Sequence, residues 1–412
     1  MKRIAIIGAG ASGMTAAIAA AGCGASVFLF EHKDRVGKKL LLTGNGKCNL
    51  TNVKMGSEYY HSSSDGSELV RQVLSTFGCE ETIKFFGSLG IFTRNRSGRI
   101  YPYPETSSSV LDALRMELKK MGVRERVLCD VTSINALPGG GFEINVRGEK
   151  KFTQVVDKVI ICCGGKSRGE TGSDGSGYKL SADLGHTIIK PLPALTGLKS
   201  DSTAFKAISG VRSDAALKLF IEGKETYSSA GELQLTDYGI SGICTFDISG
   251  AAVRALDAKR QVSVAVDFLP EFDPSQAAAY LKGRFEALRD RNALGLLNGL
   301  FHKKLNMQFL KQLKVREDTP AKELAPDLPL RTAALVKDWR LNISGYMGYD
   351  RAQVTGGGVA LEEIDKNMES RLRRGLYFAG EILDADGICG GYNLQWAFAS
   401  GYIAGSRAAA SD

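Results

Sequence analysis

The stretch that most constrains the fold is the first 31 residues. Residues 4–7 form a short, apolar, β-branched run suited to a strand buried on both faces. G-A-G-A-S-G follows, with Gly8, Gly10 and Gly13 in G-x-G-x-x-G register. An Ala-rich helical pattern covers 14–21, and a second apolar run, 27–30, ends in Glu31. Gly8 permits a tight turn, Gly10 lets the backbone approach a pyrophosphate, and Gly13 lets the helix pack closely on the strand. Ala11 and Ser12 sit in the first helical turn, whose free N–H groups and partial positive charge favour phosphate. Glu31, eighteen residues beyond Gly13, is placed to accept hydrogen bonds from ribose hydroxyls. A lone glycine motif is weak. With a strand before it, a helix after it and an acid closing the second strand, it reads as a dinucleotide site. The competing readings are a ligand-free glycine-rich turn and a signal peptide led by Lys2 and Arg3. Glycines interrupt the apolar core that a signal peptide needs.

Composition narrows the class. A chain of 412 residues has room for two or three domains, and 43% hydrophobic with 24% charged residues is ordinary for a globular protein. No apolar run reaches the length of a membrane span, so none is expected. The net charge of +8 comes from scattered residues with no basic block. It reads as a field for an anionic cofactor and a solvated surface, with nucleic acid an unlikely partner. The eight cysteines lack C-x-x-C spacing, so neither a disulfide framework nor a dithiol redox centre is expected, and a reducing cytoplasm fits. Cys162 and Cys163 read as packing at a strand end. The four histidines show no metal-ligand spacing, and no metal is expected.

Along the chain, 36–52 is V-G-K-K-L-L-L-T-G-N-G-K-C-N-L-T-N, dense in small and amide residues that suit a loop around a polar ligand. Its Leu40, Leu41 and Leu42 read as buried. Helical spacing covers 67–90. A strand-like segment covers 91–104, with a turn at Ser97-Gly98. A helix over 108–121 reads as capped by its serines. Residues 127–134 and 142–146 read as a β-hairpin, and 152–163 as strand material ending at Gly164-Gly165. T-G-S-D-G-S-G at 171–177 opens a helix ending near His186, which reads as a helix-end residue rather than a catalyst. Pro191, Pro193 and Gly197 read as a linker. Four strands, 216–221, 231–235, 243–248 and 262–268, suggest a small antiparallel barrel or sandwich. Helical spacing recurs at 277–288, 294–300, 305–313 and 330–339. The Lys303-Lys304 and Lys311 to Lys314 group reads as a solvated face. V-T-G-G-G at 354–358 then leads to an apolar strand, 376–379, ending in Gly380-Glu381. A glycine pair, Gly390-Gly391, precedes a last helix starting near Asn393.

The 36–52 loop, the segment 231–249, and the run M-E-S-R…G-L-Y-F-A-G-E-I-L-D…G-G-Y-N-L-Q-W-A closely resemble the BaiN-like (also YhiN-like) family. These are bacterial NAD(P)/FAD-dependent flavoproteins, some of them described as aminoacetone oxidases. The resemblance covers essentially the whole chain. It implies an α/β fold: a Rossmann-type, glutathione-reductase-like FAD-binding domain with an inserted β-barrel-like domain carrying a helical subdomain. The expected division is 1–190 and 345–412 for FAD, 191–270 and 335–344 for the β-rich insert, and 271–334 for the helices. The insert would roof the isoalloxazine and shape the substrate pocket.

The resemblance also implies the FAD contacts. Gly8, Gly10, Ala11, Ser12, Gly13, Glu31, His32 and Lys39 come first. Thr43, Gly44, Asn45, Gly46, Lys47, Cys48 and Asn49 lie along the cofactor. Val131, Cys163, Gly164 and Gly165 return the chain to it. Relatives usually carry Ala-Thr-Gly-Gly where this chain has Cys162-Cys163-Gly164-Gly165, so a backbone role survives there without the hydroxyl. Gly380, Glu381, Gly391, Tyr392, Asn393, Leu394 and Gln395 complete the set, with the last helix aimed at the flavin's pyrimidine edge. The expected reaction is flavin-mediated hydride transfer to a small organic substrate, with NAD(P)H as donor. No second G-x-G-x-x-G unit exists, so a nicotinamide would bind only transiently. Three alternatives stay open: an amine or alcohol oxidase using dioxygen, a flavoenzyme modifying tRNA, and a non-catalytic flavin-binding protein. No residue is assigned as catalytic. Lys47 and Tyr392 are candidates equally explained as cofactor contacts.

Overall fold

The computed structural model describes residues 1–64 and 66–410. Its contacts separate two units: Met1–Pro193 together with the chain from Ala352 onward, and Ala194–Arg351.

Five parallel strands carry the first unit. They are β1 (Arg3–Ile7), β2 (Ser26–Phe30), β3 (Arg124–Arg126), β4 (Lys158–Ile161) and β5 (Leu376–Phe378), in the order β5-β4-β1-β2-β3. Ile4, Ile6, Leu29, Ile160 and Phe378 are buried, which is why these strands read as unbroken apolar runs. The same core takes in Ile134, Phe142, Ile144 and Val146 from a three-stranded antiparallel sheet, Asp130–Ala136, Phe142–Arg147 and Lys151–Val156.

Register decides where the ligand edge lies. Ile7 stands opposite both Phe30 and Ile161, and Ile161 opposite Phe378. Four strands therefore end at one level. The residues that follow, Gly8, Glu31, Cys162 to Gly164 and Ala379 to Glu381, emerge along one edge. That is the carboxyl-end crevice where open parallel sheets bind ligands.

Two helices are fused along a seam of small residues. On α1 (Ala11–Gly22), Ser12 and Ala16 meet Gly401 and Gly405 of α2 (Tyr392–Ala410). A Cβ on Gly401 would stand 2.4 Å from the Ser12 carbonyl oxygen, and one on Gly405 2.2 Å from that of Ala16. No other residue type lets the backbones approach so closely. The end of β5 is locked into the same seam. The Gly380 N–H donates to Ser400 Oγ at 2.9 Å, and Trp396 Nε1 donates to the Gly380 carbonyl at 3.1 Å.

The structure corrects several local expectations in this unit. The helical stretch 67–90 is two helices, Ser67–Thr76 and Cys79–Ser88, broken at Phe77-Gly78. Helix Ser107–Lys120 is led by Thr106 and has no side-chain cap. The strand material 152–163 divides at Asp157, one part pairing antiparallel and the other joining the parallel sheet. Of the three leucines, Leu40 is buried while Leu42 is half exposed. The proline-bearing linker is instead a strand, Ile188–Ala194, paired with Val354–Val359.

The second unit is built on a seven-stranded antiparallel sheet. Its order is Trp339–Asn342, Val262–Asp267, Arg212–Ile221, Lys224–Leu235, Gly239–Gly242, Leu198–Lys199 and Gly345–Tyr346. The stretch 243–248, expected as a strand, opens the helix Ile243–Asp257. Its buried positions, Cys244, Thr245, Ile248, Ser249, Ala252 and Ala255, recur at helical spacing, but the six-residue window is too short to show it. Trp339 begins a strand rather than ending a helix. Helices Ala204–Ile208, Pro274–Ala287, Ala293–Leu297, Lys303–Gln312 and Leu328–Lys337 pack with it.

Candidate functional site

The three motif glycines serve different neighbours. A Cβ on Gly8 (φ +98°) would lie 2.5 Å from the Cys162 carbonyl oxygen, and one on Gly13 1.9 Å from that of Gly8. Both are consumed by packing. Around Gly10 no atom lies within 4 Å of the Cβ position. Gly10 caps α1 without any side-chain hydrogen bond, so the first-turn N–H groups beside Ala11 and Ser12 face open space. This is the cradle a pyrophosphate needs.

Glu31 anchors the next position. Its Oε2 accepts from the Ala9 N–H at 3.0 Å and its Oε1 from the Lys33 N–H at 2.9 Å. Each oxygen keeps a lone pair for a ribose hydroxyl. His32 stands beside it with a buried Nε2 that has no hydrogen-bond partner. A Cβ on Gly172 would lie 3.3 Å from that nitrogen and 3.4 Å from Glu31 Oε1, so the Thr171 to Ser173 turn closes over both. Burial pushes the Asp174 carboxyl up, but hydrogen bonds from Ser176 and the charge of His32 bring it net below its ordinary value. Val131 is buried in the core, on a strand that starts just after Cys129, whose N–H donates to the Glu31 carbonyl at 2.9 Å.

At the centre of the edge Lys39 Nζ pairs with Glu381 Oε2 at 2.6 Å and donates to Ser173 Oγ at 3.3 Å. Glu381 Oε1 accepts the Thr355 N–H at 2.8 Å. Thr355 Oγ1 in turn accepts the N–H groups of Lys166 and Ser167 at 2.8 and 2.9 Å. A Cβ on Gly165 would strike this cluster, 2.6 Å from Thr355 and 2.9 Å from Glu381 Oε1. Gly164 (φ +71°) makes the turn before it. Gly380 lets the strand end reach Ser12, whose Oγ would stand 2.4 Å from a Cβ there. Thr355 and Ser173 escaped the sequence reading. Thr355 sits 26 residues from Glu381, and only the sheet order brings them together.

The 43–49 loop turns on left-handed residues: Gly44, Asn45, Gly46 and Cys48 all have positive φ. Thr43 Oγ1 donates to the Leu40 carbonyl at 2.6 Å and closes the turn. Asn49 is buried, its Oδ1 has no partner, and it would lie 2.9 Å from a Cβ on Gly391. Lys47 is more than half exposed and pairs with Glu105 at 3.5 Å.

At the start of α2, Asn393 grips the preceding loop, accepting from the Gly387 N–H at 2.9 Å and donating to its carbonyl at 2.7 Å. Tyr392 packs against Tyr59 and Tyr60, with ring centroids 4.9 and 6.0 Å apart. Leu394 is partly buried against the core. The Gln395 side chain points elsewhere. It is fully buried, accepting from Thr82 Oγ1 and donating to the Phe77 carbonyl, both at 2.8 Å.

The cysteines are quiet. Burial pushes the Cys48 and Cys162 thiols up to about 12 and raises Cys163 further, so none is a thiolate at neutral pH. His186, Glu363 and Ser370 line up at 2.8 Å and 2.8 Å. The arrangement mimics a catalytic triad, but the imidazole side chain is fully buried and Ser370 Oγ accepts the Leu372 and Arg373 N–H groups. It is a structural clasp.

The open Gly10 cradle, the orphaned polar atoms of His32 and Asn49, and the Lys39–Glu381 pair fit FAD. The comparisons agree. A family model described as the HI0933-like protein Rossmann domain matches residues 2–407. The chain belongs to the HI0933-like family. Among relatives in that family, it is 43% identical to a 3-dehydro-bile acid delta(4,6)-reductase of Clostridium scindens over 412 residues, 99% of each chain. It is 28% identical to a ribosomal RNA dihydrouridine synthase of Escherichia coli over 399 residues, 96% of this chain and 95% of that one. In fold it is similar to the 3-ketosteroid delta1-dehydrogenase of Sterolibacterium denitrificans, with a TM-score of 0.53 at 13% identity and all of both chains covered. This HI0933-like chain is an FAD-dependent oxidoreductase. Among the described residues no group of three or more His, Cys, Asp or Glu is arranged to hold a metal ion. No helix there is long and apolar enough to cross a membrane.

Proposed function

We propose that the protein reduces a carbon–carbon double bond conjugated to a carbonyl in a small organic molecule, with NAD(P)H as the donor. The observation that carries this reading is the 43% identity, over 99% of both chains, to a 3-dehydro-bile acid delta(4,6)-reductase. The dihydrouridine synthase relative points to the same chemistry, since dihydrouridine is uridine with its carbonyl-conjugated double bond saturated. FAD, when bound, supplies the hydride carrier. The α1 N-terminus at Gly10 to Ser12 holds the pyrophosphate, and Glu31 with His32 holds the adenosine end. Lys39 and Glu381 hold the hydroxylated chain between phosphate and ring. The 43–49 loop and the start of α2 hold the ring, mostly through backbone groups. Gln395 contributes through the packing of α2 and not through its own amide. In this reading Met1–Pro193 and the chain from Ala352 onward bind FAD, a few residues off the division at 190 and 345 expected from the sequence, and Ala194–Arg351 forms the insert with its helical part at 271–334.

A second reading follows from the ribosomal RNA relative: a uracil base within RNA as the acceptor. Photoreduced, anaerobic holoprotein mixed with a 3-oxo-Δ4,6 steroid, with a ribosomal RNA transcript, or with dioxygen separates these. Rapid recovery of oxidised flavin with the steroid supports the proposal. Recovery only with the transcript, suppressed by salt, supports the RNA reading. Recovery only with dioxygen marks an oxidase and overturns both.

A further inference from the structure

Three features meet where the loop preceding α2 passes the strand Arg99–Pro102. Arg99 pairs with Asn52 across the ladder, and its Nε would lie 3.7 Å from a Cβ on Gly390. The residue is half-buried, and among the described residues no ion pair or hydrogen bond engages its guanidinium. Its neighbours Arg94 and Arg96 are both spent on Glu105, at 3.5 and 3.1 Å. A partly desolvated cation without a partner is costly, so a partner belongs there. The second feature is the Asn49 Oδ1, an acceptor in a residue only 8% exposed, unpaired and aimed at Gly391. The third is the glycine pair itself. Gly390 (φ +135°) and Gly391 (φ +100°) leave no side chain between these groups and the first turn of α2. Asn52 Nδ2 fixes the loop by donating to the Gly390 carbonyl at 3.0 Å.

A cation with donors, a lone acceptor and the first turn of a helix together complement a carbonyl–NH–carbonyl edge. The pyrimidine side of an isoalloxazine presents that edge. Adding a hydride to oxidised FAD yields a ring with one negative charge, spread over N1 and the C2 carbonyl on this side. We propose that Arg99 is the cationic partner of the flavin's pyrimidine edge and sets how strongly the protein favours the reduced ring. The inference rests on the FAD reading above and adds a residue to it. Arg99 does this by charge, in concert with the α2 N-terminus, and Asn49 accepts the ring N–H.

The test needs no substrate. Arg99→Gln and Arg99→Lys holoproteins are compared with the wild type in flavin midpoint potential, by dye equilibration, and in sulfite affinity. Sulfite adds to the oxidised ring and places the same negative charge on this edge. Arg99→Gln is expected to lower the potential and weaken sulfite binding at least about tenfold, the equivalent of about 1.4 kcal/mol. Arg99→Lys is expected to restore most of both. An Arg99→Gln holoprotein with potential and sulfite affinity unchanged overturns the proposal, even if its KM for substrate rises. If Arg99→Gln loses FAD while Arg99→Lys keeps it, the charge is required and the proposal stands. If neither keeps it, the role is structural and the proposal falls. A wild-type protein that binds no FAD would defeat the functional reading itself, which is a separate result.

Discussion

Gly10 and Gly13 occupy one motif and predict opposite defects. Gly10 has φ −81°, which any residue adopts, and open space at its Cβ position. Gly10→Ala is expected to leave the melting temperature of the apoprotein unchanged while weakening FAD binding, read by flavin fluorescence titration. Gly13→Ala drives a methyl to 1.9 Å from the Gly8 carbonyl oxygen. It should cost about 1–3 kcal/mol or more of stability with or without cofactor, read by urea unfolding. His186 makes a pH prediction. Burial lowers its pKa below the ordinary 6.5, and the hydrogen bond to Glu363 offsets only part of this. The unfolded chain thus binds this proton more readily than the folded one. The contribution of the neutral imidazole is whole above pH 6.5 and is lost as pH falls through the lower folded value. His186→Gln should lower the melting temperature at pH 8 and flatten its fall below pH 6.5. At this scale, the residues legible in the sequence are those whose job is local. Gly8, Gly13 and Glu31 act within one βαβ unit, and their spacing carries the information. Thr355, Ser173 and Arg99 act through partners that only the folded sheet brings near. The Gln395 side chain misleads for the same reason: its partners, Thr82 and Phe77, lie more than 300 residues away.

Between elements, the decisive contact is the glycine seam of α1 and α2. It holds the two helices parallel, with Ser12 in the first turn of α1 beside Gly401 in the middle of α2, so both positive helix poles point the same way. Gly405→Val is expected to push the helices apart, because its Cβ would stand 2.2 Å from the Ala16 carbonyl oxygen. Both stability and FAD affinity should fall, the first by about 1–3 kcal/mol or more. Gly22→Ala is the control. Nothing lies within 4 Å of its Cβ position, and it should gain about 0.4–1 kcal/mol in the same denaturation experiment. Elements with regular local patterns were readable: β1, α1, β2, and the helical character on either side of Phe77, though not the break there. The helix Ile243–Asp257 was not, because its first six residues alternate and its period emerges only over fifteen. Strand Ile188–Ala194 was hidden by its prolines, which an edge position tolerates.

For the whole molecule, one proposal carries the rest: that the crevice at the sheet's carboxyl edge holds FAD and passes electrons from a nicotinamide to an organic acceptor. The Rossmann family match over residues 2–407 and the orphaned polar atoms along that edge both fit a flavin. The absence of a second dinucleotide motif means that the nicotinamide would meet the flavin only briefly, so the claim must be tested by turnover and not by co-purification. The deciding measurement is anaerobic stopped-flow absorbance of the FAD-loaded protein mixed with NADH and, separately, NADPH. Loss of the flavin band at about 450 nm within seconds is expected with at least one of them. A band that persists with both nucleotides would contradict the reductase reading, and a protein that neither carries nor takes up FAD would contradict the site itself.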